Sequence, residues 1–197
     1  MPPHTLVLAS TSRWRRQLLL DAGVHCRSVD PAVDEEAILS PDPRVMAGLR
    51  AEAKAQAVAA LEPGAWVLGA DQVAHLDGEP FGKPRDPASW LRRLQSLRGR
   101  THTLTTGVVL ITPGGIDRFS VDSGVRFRSD LEDAELRAYV DSGEAAGCAG
   151  GYMVERRGAW LVERIDGDWT NVIGLPVFDV VARLRRLGWR LGMEAER

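Results

Sequence analysis

The sequence lacks the features of several large protein classes. It has only two cysteines, Cys26 and Cys148, far apart in the chain, so neither a disulfide framework nor a structural zinc site is expected. No apolar run approaches the roughly 18 residues of a membrane span, and the N-terminus has no basic segment typical of a signal peptide. We therefore expect no membrane association, a cytoplasmic location, and thiols that are reduced and partly buried.

Neither sign of charge dominates. The 25 basic and 27 acidic residues give a formal net charge of -2, which lacks the positive field that long nucleic acids usually require. A stable nucleic-acid complex is therefore not expected, and any polyphosphate site has to be built locally. Hydrophobic residues at 44% and charged residues at 26% are ordinary for a globular protein, and 197 residues suit one folding unit.

Common catalytic signatures are also missing. The chain has no G-x-x-x-x-G-K-[ST] loop, no G-x-G-x-x-G and no G-x-S-x-G. Their absence argues against the commonest kinases, dehydrogenases and serine hydrolases. The four histidines show no H-E-x-x-H pairing, so a zinc hydrolase is not expected either.

What the sequence does contain is an alternation of strands and helices, followed by hairpins. The patterns predict strands at 6–9, 24–29, 66–70, 73–76, 101–112 and 116–128 and near Met153 and Leu161, and helices at 13–22, 41–61, 86–97, 129–140 and after Pro176. This order favours an α/β fold, with a mixed twisted sheet flanked by helices in two lobes around a central groove. Such a groove is a usual place for a ligand.

The segment Ser10–Arg16 lies where the first predicted strand gives way to a helix. The N–H groups and dipole of a helix start favour an anion, and serine hydroxyls and guanidinium groups add directed donors. The segment could form a phosphate cradle. The alternative is helix capping with a solvated basic first turn.

Asp71 directly follows the apolar run 66–70, at or just beyond a predicted strand end, where α/β sheets often present catalytic carboxylates. It could bind Mg²⁺ or draw a proton from water, or it could be a turn aspartate.

Lys54 and Lys83 indicate a phosphate site only if they converge on the same phosphates, since each alone is typical of a surface lysine. The acidic run 34–36 could bind a metal or be a solvated loop.

Together these motifs resemble those of the Maf family of nucleotide pyrophosphatases, over nearly the whole chain. The similar segments are Leu8–Ser12 with Arg15, Val33–Glu35, Glu52–Ala55, Gly69–Val73, Gly82–Pro84, Ala149–Tyr152 and Val172–Pro176. The resemblance implies one Maf/ITPase-like domain over residues 1–197. It also implies hydrolysis of a nucleoside triphosphate between the α and β phosphates, with Mg²⁺ or Mn²⁺, and it suggests a homodimer.

The resemblance further implies roles for individual residues. Asp71 would accept a proton from the attacking water, and Glu35 would join it in placing the metal. The residues that would hold the polyphosphate are Ser10, Arg15, Lys54 and Lys83, of which both lysines also belong to the implied catalytic set.

Three positions match the branch of the family that acts on 7-methyl-GTP, namely Trp14, Gln72 and Glu155, where the dTTP/UTP branch would have Arg, Thr and Gln. N7-methylguanine is positively charged, so an indole face attracts it and a carboxylate complements it. The alternative is that Trp14 packs in the core and Glu155 is a solvated strand charge. One feature departs from this branch and another from the family motif as a whole. Segments 150–152 and 167–171 look more like the dTTP/UTP branch, and Arg13 stands where the family usually has proline.

The predicted substrate is therefore 7-methyl-GTP or another modified nucleotide, and hydrolysis of dTTP and UTP is the alternative. A second alternative comes from another class: a cell-division regulatory or nucleic-acid-binding module with a vestigial nucleotide site. The near-neutral charge and the retained acidic and basic residues argue against that module.

Overall fold

The structure, a computed structural model, describes residues 6–191; the ends of the predicted 1–197 domain lie outside that range. The strands are β1 (Leu6–Ala9), β2 (Arg27–Val29), β3 (Trp66–Leu76), β4 (Glu79–Phe81), β5 (Thr101–Thr112), β6 (Gly115–Phe127) and β7 (Val162–Asp166). The α-helices are α1 (Arg13–Asp21), α2 (Pro43–Leu61), α3 (Pro87–Leu97), α4 (Asp133–Asp141), α5 (Trp169–Ile173) and α6 (Val177–Arg186), and short 3₁₀ turns cover Glu35–Ala37 and Arg157–Trp160.

The strands form a mixed sheet in the order β2-β1-β3-β5-β6-β7, and β4 pairs with the far end of β3. β1 runs parallel to β2 and β3, whereas the pairs from β3 through β7 are antiparallel. Parallel neighbours need crossover connections, and α1 and α2 lie in those connections. The predicted α/β class, with a mixed sheet flanked by helices, is confirmed.

Apolar clusters hold the helices on the sheet. Ala51 and Val58 of α2 pack on one face, while Leu19 of α1 and Leu184 of α6 pack on the other. Alternate residues of β1 enter these two clusters, as expected because successive strand side chains point to opposite faces. A further cluster around Trp90 joins α3 and α4 to β5 and β6 and forms the second lobe.

Helix α2 lies very close to the sheet. A Cβ atom on Gly69 would be 2.4 Å from the carbonyl oxygen of Ala51, and one on Gly107 would be 2.5 Å from the carbonyl carbon of Ala47. Both positions therefore require glycine, and the residues of α2 nearest to them are alanines. The consequence is that side chains on α2 start close enough to β3 to contact it directly.

Several predicted elements need correction. The strands predicted at 66–70 and 73–76 form one strand, because the ladder with β5 continues through Asp71 opposite Gly107. The helix predicted at 129–140 begins at Asp133, since Glu132 forms the capping box.

The C-terminal part also differs from prediction. The segment around Met153 forms turns rather than a strand, and the strand predicted around Leu161 begins after it, as β7. The short helix α5 was not predicted. Cys26 and Cys148 are free and half-buried, as expected. None of the helices described is long and apolar enough to cross a membrane.

We expect Gly107→Ala to destabilise the protein by about 1–3 kcal/mol, because the new methyl group would push α2 away from β5. Urea denaturation measures the change. Gly48→Ala is the control, because Gly48 lies on α2 and its new Cβ would have no atom of another element within 4 Å; it should be neutral or stabilising by up to about 1 kcal/mol. Equal unfolding midpoints for Gly107→Ala and the wild type would contradict this view of the helix–sheet contact.

Candidate active site

The sheet is open along one side of β3. β1 ends at Ala9, opposite Gly69, and β4 pairs with β3 only from Ala74 onwards. Asp71 lies in the gap between them, in the middle of β3. The prediction that Asp71 lies at the end of its own strand is therefore wrong, because the strand that ends there is its neighbour β1.

The gap exposes both faces of β3 to one cavity. Successive strand residues point to opposite faces, so Asp71 points toward α2 and Gln72 toward α5. The contacts agree, since Asp71 is bonded to Lys54 of α2 and Gln72 to Asn171 of α5. Two neighbouring residues can therefore contribute to one site from opposite faces of the sheet.

A cavity of about 1390 Å³ occupies this opening. Its lining includes every site residue that the sequence analysis singled out: Ser10, Trp14, Arg15, Glu35, Lys54, Asp71, Gln72, Lys83 and Glu155. These residues come from both lobes and from segments widely separated in the chain. The fold thus brings them to one place, while their chemical roles stay predictions.

Lys54 lies at the centre of the site. Its Nζ is 2.7 Å from Oδ1 of Asp71 and 2.9 Å from Oε1 of Glu35. The side chain is only 4% exposed, so the surface-lysine alternative is wrong. A buried ammonium group is stable only when it is paired, and here two carboxylates from different segments pair with it.

The two carboxylates differ in their titration. Burial raises the pKa of Asp71 above its ordinary value, although the charges of Lys54 and Arg15 oppose the rise. Burial also acts to raise the pKa of Glu35, but the hydrogen bond and charge of Lys54 outweigh it and lower that pKa. The site therefore contains two neighbouring carboxylates whose pKa values are shifted in opposite directions.

Arg15 borders the network on another side. Its Nε donates to the carbonyl oxygen of Gly174 at 2.9 Å, and its NH1 donates to Oγ of Ser10 at 3.4 Å. Burial lowers the pKa of Arg15, and the nearby charges of Asp71 and Glu35 act against this. The capping alternative for this segment also holds, because the side chain of the residue before α1 accepts the Arg15 N–H. Capping is therefore observed in this segment, and the phosphate cradle stays a prediction.

Lys83 and Glu155 lie in other loops of the lining. Lys83 is exposed, and its loop is held by Arg93, which donates to the carbonyl oxygen of Gly82. Glu155 is half-buried in a turn, so the strand position expected for it is wrong. Both act on Cys148, whose pKa is raised by burial, raised further by Glu155 and lowered by Lys83.

Trp14 and Gln72 are engaged within the protein. Trp14 packs against the core of the second lobe, and the guanidinium carbons of Arg13 and Arg156 lie 4.4 Å and 5.3 Å from its ring centroid. The amide nitrogen of Gln72 donates to Oγ1 of Thr106 at 3.1 Å and to the carbonyl oxygen of residue 171 at 2.5 Å. The packing alternative for Trp14 is thus confirmed, although the residue also lines the cavity.

Sequence reasoning missed Arg50 and Arg156. Arg50 lines the cavity, and its NH1 is 3.8 Å from Oδ2 of Asp71. Its spacing of one helical turn from Lys54 was the available signal, because such residues lie on the same helix side. Arg156 follows Glu155 directly, but nothing local indicates that it reaches Trp14.

The residues suit a divalent cation that is shared with a substrate. Within residues 6–191, no group of three or more His, Cys, Asp or Glu side chains could hold a metal alone. In the same range, Oδ2 of Asp71 is buried without a hydrogen-bond partner, and Glu35 lies nearby on the shared lysine. Mg²⁺ commonly takes one or two carboxylates and completes its shell with phosphate oxygens and water. The donor set therefore fits such a cation only with the phosphates present.

We expect the carboxyl carbon of Asp71 to titrate above the ordinary aspartate pKa of about 3.9 in a ¹³C NMR pH series, because the buried anion is poorly solvated. In Lys54→Met the midpoint should rise further, since the main opposing charge is lost. Asp86 is the control, because hydrogen bonds at the start of α3 lower its pKa. An Asp71 midpoint at or below that of Asp86 would refute this description of the site.

Comparison with known proteins agrees with the family resemblance seen in the sequence. The chain matches the model of the Maf-like protein family over residues 5–187. It is 41% identical over 189 residues to a dTTP/UTP pyrophosphatase of Thermus thermophilus, covering 96% of this chain and 97% of the relative. A nucleoside triphosphate pyrophosphatase of a Synechococcus strain is 42% identical over 194 residues, covering 97% of both chains.

The dTTP/UTP pyrophosphatase of Geobacter sulfurreducens is 40% identical over 190 residues, covering 95% of this chain and 99% of the relative. Among solved structures, the Ham1 protein of Staphylococcus aureus is similar with a TM-score of 0.51. It has 16% identity, and the match covers 93% of this chain and 99% of that chain. At this identity the likeness concerns the fold alone, and it agrees with the predicted ITPase-like architecture.

Proposed function

Because the chain belongs to the Maf-like protein family, we propose that it is a nucleoside triphosphate pyrophosphatase, producing a monophosphate and pyrophosphate. The observation that carries the proposal is the cavity in which Lys54 and Arg15 surround Asp71. Attack on a phosphate is opposed by its negative charge, so cations and N–H donors placed around the reacting group are the expected catalysts.

In the proposed reaction, a water oxygen bonds to the α-phosphorus while its proton passes to Oδ2 of Asp71. The bond from the α-phosphorus to the bridging oxygen breaks, and pyrophosphate leaves. Lys54 holds Oδ1, so the other oxygen remains available, and the raised pKa of Asp71 makes it a better base than an exposed aspartate. Glu35 and phosphate oxygens would hold Mg²⁺ or Mn²⁺, and Asp71 would contribute to that site through its charge while Oδ2 stays free for the proton. The cation would supply charge neutralisation.

The other proposed contacts to the polyphosphate follow from where the residues lie in the cavity lining. Ser10 and Arg15 would bind the polyphosphate where α1 begins, and Lys83 would reach it from the loop after β4. Serine, arginine and lysine donors of this kind give charge-assisted hydrogen bonds to phosphate oxygens. Together they would place the scissile bond against Asp71.

We expect Asp71→Asn to lower kcat by about 10²- to 10⁴-fold, because the amide cannot accept the proton from water. Release of pyrophosphate and monophosphate, measured with Mg²⁺ or Mn²⁺, is the assay, and H₂¹⁸O should label the monophosphate. Asp77→Asn is the control, since Asp77 lies in the exposed β3–β4 turn and does not line the cavity. Full activity in a folded Asp71→Asn variant would remove Asp71 from its proposed role.

For the base, we propose dTTP or UTP as the preferred substrate and 7-methyl-GTP as the second candidate. Relatives that align over nearly their whole length bear the name dTTP/UTP pyrophosphatase. Electrostatics supports the same choice. A cationic N7-methylguanine stacked on Trp14 would meet the positive charges of Arg13 and Arg156, whereas a neutral pyrimidine would not.

The second candidate retains one supporting feature. Glu155 is half-buried and lines the cavity, where a carboxylate could accept the N1–H and N2–H of a guanine. The same carboxylate could accept the single N3–H of thymine or uracil. Glu155 alone therefore does not decide between the two bases.

We expect kcat/KM to be higher for dTTP and UTP than for 7-methyl-GTP. In the double variant Arg13→Gln with Arg156→Gln, the ratio should move toward 7-methyl-GTP, because the repulsion near Trp14 is removed. Comparing ratios cancels any effect of these arginines on the phosphates, which all the nucleotides share. Arg16→Gln, an exposed change on the same helix, is the control. A wild-type preference for 7-methyl-GTP would instead favour the second candidate.

A further inference from the structure

We propose that Arg50 is a further substrate-binding residue, which donates hydrogen bonds to the polyphosphate while it also fixes the turn that carries Glu35. The proposal rests on the proposed function for the identity of the ligand. The binding role itself is argued from the position and contacts of the Arg50 side chain.

Arg50 belongs to a stripe of α2 that faces the cavity. Met46, Arg50 and Lys54 recur at one-turn intervals, and all three line it. The Arg50 side chain is 17% exposed, far less than that of Arg44 on the same helix at 53%. Two cations one turn apart slightly disfavour a helix by themselves, and negative charge in the cavity offsets that cost.

Part of the Arg50 guanidinium has a structural contact. Its Nε donates to the carbonyl oxygen of Ile38 at 3.0 Å. Ile38 is the residue that ends the 3₁₀ turn Glu35–Ala37, so this bond ties the turn to α2. Lys54 bonds to Glu35 from the same helix. The position of Glu35 therefore depends on two neighbouring cations of α2.

The rest of the guanidinium faces Asp71. NH1 lies 3.8 Å from Oδ2, close enough for charge attraction but too far for a hydrogen bond. That oxygen is also the buried Asp71 atom without a hydrogen-bond partner among residues 6–191. A guanidinium group carries five N–H donors, of which Ile38 receives only one. The terminal donors are thus oriented toward the reacting region and are suited to phosphate oxygens.

Arg50 is consequently more than a partner for the Asp71 charge. Lys54 already bonds to both carboxylates at hydrogen-bond distance. The pair Lys54 and Arg15 would balance the charges of Asp71 and Glu35 without a third cation. A triphosphate brings further negative charge into the cavity, and Arg50 supplies a matching positive charge there.

The test is the affinity for inorganic pyrophosphate, measured by calorimetry with Mg²⁺, which requires neither a base nor turnover. We expect Arg50→Gln to weaken binding by about 10- to 100-fold, the loss typical of hydrogen bonds to a charged group. Arg50→Lys keeps the charge but loses the fork and the Ile38 bond, so its affinity should fall less. Arg44→Gln is the control, because Arg44 pairs with Asp122 and does not line the cavity.

Thermal unfolding of the same variants separates binding from folding. Wild-type affinity for pyrophosphate in Arg50→Gln would overturn the proposal, and so would a lowered unfolding temperature with unchanged affinity, which is the result of a purely structural role. The proposed function can fail separately. If the wild type releases no pyrophosphate from any nucleotide but still binds pyrophosphate more tightly than Arg50→Gln does, the proposed function is wrong and the role of Arg50 stands.

Discussion

The ion pair between Lys54 and Asp71 is the interaction on which the site depends. Both groups are almost fully buried, and loss of one partner in such a pair leaves an uncompensated charge that costs about 3–5 kcal/mol. The pair also links the two structural layers, since Lys54 is on α2 and Asp71 is on β3. Its length of 2.7 Å is possible because Gly69 and Gly107 allow α2 to approach the sheet. The close packing of α2 on the sheet and the short ion pair therefore depend on the same two glycines.

An interrupted sheet edge turns that ion pair into a site. A complete parallel partner beside β3 would bury the edge, yet β1 stops at Ala9. The cavity forms in the space beyond, and loops from both lobes supply its other walls. Because the sheet itself remains paired through β5, Asp71 is held rigidly although it borders the opening. Rigid support with one open side is what a positioned carboxylate requires.

The fold class and most element positions could be predicted from the sequence, because apolar periodicity and turn residues are local signals. The burial of Lys54 could not, since its own helix reads as polar and alanine-rich and the cause lies in glycines of two distant strands. The position of Asp71 was misjudged for a related reason. The run from Trp66 looks finished at Ala70, and only the pairing with β5 shows that the strand continues.

Motif similarity identified the charged residues that gather around Asp71 better than it identified the surroundings of Trp14. Charged residues such as Arg15 and Lys54 are recognisable in any sequence. The environment of Trp14 depends instead on Arg156, which comes from another lobe and which no local pattern connects to the indole. An exposed indole and one flanked by guanidinium groups look identical in a sequence, yet they present opposite fields to a cationic base. A neighbouring charge thus decides which field a base beside Trp14 would meet, and single positions in the sequence do not show that charge.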